Sequence, residues 1–128
     1  MIREEICTYK VAKLAKERGF NVQTFDWYDY KGNYHKGFIP HELHECPRYK
    51  EYYAPSQSLL QRWLREEKNI HIEIVATASG YFWIADKTNG TSITDSDVLD
   101  RGTNEGGCWD EYELVLEDAL KYALENLV

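Results

Sequence analysis

The densest group of side chains able to do chemistry in this chain is His41-Glu42-Leu43-His44-Glu45-Cys46, with His35 a few residues upstream. Imidazole and thiolate are the preferred ligands of zinc, and a glutamate directly after a histidine brings a zinc protease to mind. That pattern needs two histidines four apart on one helix face, whereas His41 and His44 are three apart, so the spacing fails. A structural zinc on His41, His44 and Cys46 would still need a fourth ligand for tetrahedral coordination, and no second cluster of matching spacing occurs. The expectation is a solvated loop and no cofactor.

Asp95-Ser96-Asp97-Val98-Leu99-Asp100 begins like a calcium loop but places Leu99, Asp100 and Gly106 where an oxygen ligand, a glycine and a glutamate are required. Turn-forming and capping aspartates account for it. Cys7, Cys46 and Cys108 are odd in number and contain no C-x-x-C pair, which argues against a secreted disulfide framework and for free thiols. Neither glycine-rich nucleotide-binding pattern is present. No catalytic residue follows from any spacing in the chain.

A different chemistry is suggested by the aromatic run Phe25, Trp27, Tyr28, Tyr30 and Tyr34, with Lys31 and Lys36 beside it. Aromatic rings on an exposed sheet stack unpaired bases, and lysines hold the phosphates. Alternation along a strand would instead send about half of such rings into the core. Trp27, Tyr28 and Tyr34 are therefore the candidate contact residues, with nucleic acid or protein as the partner.

The elements that must position these residues follow from periodicity. Residues 8–18 form a short amphipathic helix on Val11, Leu14 and Ala15, capped by Thr8 and closed by Gly19 and Phe20. Residues 24–38 read as a β-hairpin around Lys31-Gly32-Asn33. Pro40 and Pro47 make residues 39–53 a loop. Pro55 keeps Ala54 out of helical geometry, Ser56 caps the next helix, and Leu59, Leu60, Trp63 and Leu64 mark its buried stripe. Asn69 ends that helix, and Ile70, Ile72 and Ile74 alternate with His71 and Glu73 in a strand. A turn at Ser79-Gly80 returns the chain antiparallel through residues 81–85. Residues 86–109 are the longest loop candidate. Asp110 and Glu113 form a capping box for a closing helix of about four turns.

The order is α-β-β-α-β-β-α: an α+β fold with an antiparallel sheet of about four strands packed by about three helices. A chain of 128 residues is a single globular domain, 1–128, able to bury about two thirds of the surface its unfolded form exposes. No apolar run approaches the length of a membrane span, and the first five residues carry two acids and no hydrophobic signal region, so a cytoplasmic location is expected. Residues 1–85 hold 12 Lys and Arg against 11 Asp and Glu, and residues 86–128 hold 3 against 11. The acidic last third is a poor surface for nucleic acid, whose phosphates are held mainly by Lys and Arg; a solvated acidic helix face is the ordinary account, and a basic partner or mimicry of DNA are the alternatives. The apolar faces of the second and third helices are compatible with a monomer or a homodimer.

Three pieces carry a resemblance. They are Thr8 to Phe20 with its Ala12-Lys13-Leu14-Ala15-Lys16-Glu17 core, Ala54-Pro55-Ser56-Gln57-Ser58-Leu59-Leu60-Gln61-Arg62-Trp63-Leu64-Arg65-Glu66, and the closing Tyr112-Glu113 to Leu124. Together they resemble a family of small uncharacterised proteins of Bacteroides-type gut bacteria and their phages and mobile elements. The resemblance covers most of the chain except residues 86–109 and brings no activity with it. It implies a cytoplasmic setting and a phage-related origin. The leading expectation is a non-enzymatic accessory or protein-interaction module. The alternatives are a nucleic-acid-binding module using the N-terminal half, and a small metal protein or enzyme using His41 to Cys46.

Because Trp63 sits at the centre of the helical stripe, Trp63→Ala is strongly destabilising on this reading. An unchanged thermal midpoint in that variant rejects the helix assignment.

Overall fold

The computed structural model describes residues 4–39, 50–87 and 111–128, together with the backbone of 91–94. The chain gathers into two compact units, Met1–Leu59 and Leu60–Val128. The division falls in the first turn of a helix common to both, so that helix is continuous across it.

In the first unit, α1 (Tyr9–Glu17) is capped by Thr8, whose hydroxyl accepts from the Val11 N–H at 3.3 Å. Gly19, at φ 99°, turns the chain out of the helix, and Phe20 folds back to bond the Ala15 carbonyl and is buried. Both ends are as their residue types predict. Val11, Ala12 and Ala15 are buried, and α1 packs on β3. The sheet is three short antiparallel strands in the order β2-β1-β3, with β1 Trp27–Tyr28, β2 Tyr34–His35 and β3 Tyr52–Tyr53. A single bridge, Ile6 to Ser56, ties the start of the chain to the residues before α2, supported by Cys7 N–H to the Pro55 carbonyl and Gln57 N–H to the Glu5 carbonyl.

The helix α2 (Gln57–Lys68) begins at Ser56, whose hydroxyl accepts from the Leu59 N–H at 3.1 Å. In the second unit its Leu60, Trp63 and Leu64 are buried, while Arg62, Arg65 and Glu66 face water. One residue, Asn69 at φ 59°, separates the helix from β4 (Ile70–Thr77). Its short amide side chain makes it one of the few non-glycine residues that accept this left-handed geometry. β4 pairs antiparallel with β5 (Gly80–Lys87) across an Ala78-Ser79 turn, and β6 (Thr91–Thr94) lies on the other side of β5. The closing helix α3 (Tyr112–Asn126) packs on β5 and β4. Val115, Leu116, Ala119, Leu120, Ala123 and Leu124 line its buried face. Trp83 anchors the seam: it is 1% exposed, donates from its indole N–H to Asp118 at 3.0 Å and lies against Tyr122. At the far end Lys87 donates to the Leu127 carbonyl at 3.0 Å, a cation on the negative end of the helix.

The α+β class and the antiparallel pairing agree with the sequence reading. The expected single sheet of about four strands is instead two three-stranded sheets. The order of the described elements is α-β-β-β-α-β-β-β-α. The two added strands lie where loops were expected, β3 at the end of residues 39–53 and β6 within residues 86–109. Both are short and were hidden by flanking turn residues. The cap of α3 also differs: Glu111 is the N-cap and makes no side-chain cap bond, while Asp110 lies outside the described residues. Among the described residues no helix is long and apolar enough to cross a membrane.

The left-handed junction between α2 and β4 makes a specific prediction. Asn69→Gly leaves stability within about 0.5 kcal/mol of the parent, because glycine adopts this geometry without steric cost. Asn69→Val costs about 1–2 kcal/mol or more in urea unfolding, because a β-branched side chain clashes there.

Candidate functional site

The most elaborated local chemistry among the described residues is the turn of the β1–β2 hairpin. Asp29 organises it. One carboxylate oxygen accepts from the backbone N–H of Lys31 and of Asn33, each at 2.9 Å, and the other lies 2.8 Å from His35 Nε2. The main chain closes the same turn through Asp29 N–H to the Asn33 carbonyl and Gly32 N–H to the Asp29 carbonyl. Gly32 is required twice: its φ is 87°, and a Cβ there would approach the Tyr9 ring to 3.0 Å. Partial burial pushes the Asp29 carboxyl up, but the His35 bond and the Asn33 and Lys31 amides outweigh it, and its pKa falls from 3.8 to about 2.

His35 is held a second time by its ring, which stacks on Trp27 at 4.3 Å and 15°. Trp27 is thereby only 5% exposed. Tyr28 is half-buried and donates its hydroxyl to the Cys7 carbonyl at 2.6 Å, and its ring meets Tyr9 and Tyr34. Tyr34 is exposed, but its hydroxyl donates to Asp26 Oδ2. Burial of the phenol, with the Asp26 bond and charge adding to it, pushes its pKa up to about 12. Of the three candidate contact residues, then, Trp27 is a core ring, Tyr28 a buttress and Tyr34 a surface ring tied to a neighbouring acid.

The rings most open to water are two others, Phe25 at 60% and Phe38 at 64% exposed, which meet edge to face at 5.2 Å. Tyr30 and Val22 are exposed in the same unit. Lys31 lies over the Tyr30 ring and Lys36 points to water. Phe25 and Phe38 sit outside the paired strands, so strand alternation does not reveal which way they face.

A cavity of about 510 Å³ opens near the end of α1, lined by Ala12, Lys16, Phe20, Asn21, Glu51 and Tyr53 among others. Its cation is engaged, since Lys16 donates to the Glu51 carbonyl at 2.8 Å and lies over the Tyr52 ring. Among the described residues no three His, Cys, Asp or Glu side chains gather to hold a metal ion. His41, His44 and Cys46, the zinc candidates, lie outside the described residues, as do Cys108 and the stretch from Asp95 to Asp100.

No family model, curated protein or solved structure matches the chain.

The lowered pKa of Asp29 sets a pH signature for the hairpin. Its carboxylate stabilises the folded state fully above its unfolded value, and that contribution is lost as pH falls from about 4 towards about 2. Asp29→Asn is therefore less stable than the parent at pH 5, and the gap closes on acidification through that window. A gap of constant size down to pH about 2 contradicts the ionised pairing.

Proposed function

We propose that this protein is a non-enzymatic protein-interaction module whose first unit presents Phe25 and Phe38 to a partner. The observation that carries this reading is that two large aromatic side chains contact one another while each keeps more than half of its surface in water. A pair left in that state contributes little to folding, whereas rings of this kind are enriched at the centres of protein interfaces. The nearby acids are occupied within the unit, Asp26 by Tyr34 and Asp29 by His35.

Lys31 and Lys36 lie in the same hairpin as Tyr34, with Lys31 over the Tyr30 ring, and they favour a second reading, in which exposed rings of the first unit stack single-stranded nucleic acid. Binding that falls steeply with salt and is insensitive to sequence would select it over the protein partner. A cytoplasmic setting and a phage or mobile-element origin belong to the same proposal and rest on the resemblance of the helices at residues 8–20 and 54–66.

The test is capture from host lysate with a cross-linker, comparing the parent with a Phe25→Ser/Phe38→Ser double variant. The variant is expected to lose about 0.5–1.5 kcal/mol of stability from the ring pair and still fold. Its partner is lost while the parent retains it. Equal capture by both proteins, or none by the parent, removes the reading.

A further inference from the structure

The sheet of the second unit has an edge that is protected over only half its length. Among the described residues β4 is an outer strand, with β5 on one side and no strand on the other. The two-residue Ala78-Ser79 turn makes Thr77 and Gly80 the closing hydrogen-bonded pair. Antiparallel alternation then points the N–H and C=O groups of Ile70, Ile72, Ile74 and Ala76 away from β5. Gln61 on α2 marks that direction independently, since its side-chain amide donates to the Ile72 carbonyl at 3.0 Å. This cap covers the half of the edge near α2. Among the described residues nothing pairs with the outward groups of Ile74 and Ala76, and Ala76 and Thr77 are exposed. The open half contains no proline, no lysine and no bulge, the usual devices that keep a second strand away.

The end of the sheet that holds this open half meets the start of α3, where the side chains are apolar and acidic. Tyr81, the register partner of Ala76, meets Tyr112 at the start of α3 at 5.8 Å, and Tyr112 and Leu114 are 43% and 45% exposed. Glu111 and Glu113 flank Tyr112 in exposed positions, and Glu73 projects to water from β4 itself. Leu60–Val128 carries 6 Lys and Arg against 14 Asp and Glu, a net of −8. Two of its cations are placed against acids of their own helix, Arg62 on Glu66 and Lys121 near Glu125.

We propose that the outer edge of β4 at residues 74–77 is a strand-addition site for an extended peptide segment of a partner protein that carries lysine or arginine. Main-chain pairing with Ile74 and Ala76 supplies register, and alternation sends the apolar side chains of the incoming strand to the helix-covered face, on the side of Tyr112, and its cations to the opposite face, which bears Glu73. Charge decides the occupant, because a second copy of this chain would bring −8 against −8. The inference shares with the proposed function the premise of a protein partner, but uses a different unit and no residue of the Phe25 and Phe38 patch.

The test uses the full chain and a fluorescein-labelled peptide of alternating lysine and valine, about ten residues long, with a glutamate–valine peptide as control. The lysine peptide binds, more weakly as salt rises, and the control does not. Ala76→Pro removes an outward N–H that the β4–β5 ladder does not use, so the fold is retained and affinity falls at least about tenfold. In the parent protein, where no variant has to fold, amide exchange at Ile74 and Ala76 slows when the lysine peptide is added. Phe25→Ser/Phe38→Ser binds it as the parent does, which separates this site from the other patch. Unchanged exchange at both amides, equal binding of the two peptides, or a concentration-dependent dimer that protects the same amides overturns the proposal.

Discussion

The second unit depends on a reversal of chain direction accomplished by one residue. Asn69, in left-handed geometry, lets α2 end and β4 begin with no loop between them. The short junction brings the second turn of α2 back to the strand it feeds, where Gln61 bonds the Ile72 carbonyl. That contact places one helix residue on the outer edge of the sheet, and among the described residues the outward groups of Ile74 and Ala76 have no main-chain partner. The stability of the arrangement comes from burial: Leu60, Trp63 and Leu64 on α2, with Ile70 and Ile72 on β4, are all at most 9% exposed. Each large side chain contributes on the order of 1.5–3 kcal/mol, far more than the exposed Arg62–Glu66 pair can add.

The first unit solves a different problem. Its strands are two residues long, too short for ladder hydrogen bonds to hold them. Side-chain bonds do that work: Asp29 grips the turn, Tyr28 reaches the Cys7 carbonyl and Tyr9 reaches the Tyr30 carbonyl. Tyrosine suits this role because its ring packs while its hydroxyl bonds to backbone. The high tyrosine content therefore has a structural use, and the most exposed rings are phenylalanines, which have no hydroxyl with which to tie themselves down.

Charge is partitioned along the same division. Met1–Leu59 carries 9 Lys and Arg against 8 Asp and Glu, nearly neutral, while the second unit is strongly acidic. The nearly neutral unit leaves an aromatic pair in water, and the acidic unit leaves part of a strand edge unpaired among the described residues.

Much of this was legible in the residues. Thr8, Gly19, Ser56 and Asn69 mark helix ends because capping and left-handed geometry are properties of single residues and their immediate neighbours. The α2 stripe and the Ile70, Ile72 and Ile74 alternation are visible because burial on one face imposes a period. What tertiary structure alone decided are properties with no local signature. β3 and β6 are strands because partners were available to them, and Trp27 is buried because His35 stacks on it across the hairpin. Phe25 and Phe38 are exposed because they meet each other outside any strand, where no alternation specifies a face. The open half of the β4 edge belongs to the same class. Its backbone groups are those of any strand, and only the placement of β5 on one side and Gln61 at Ile72 determines which of them are left for another chain.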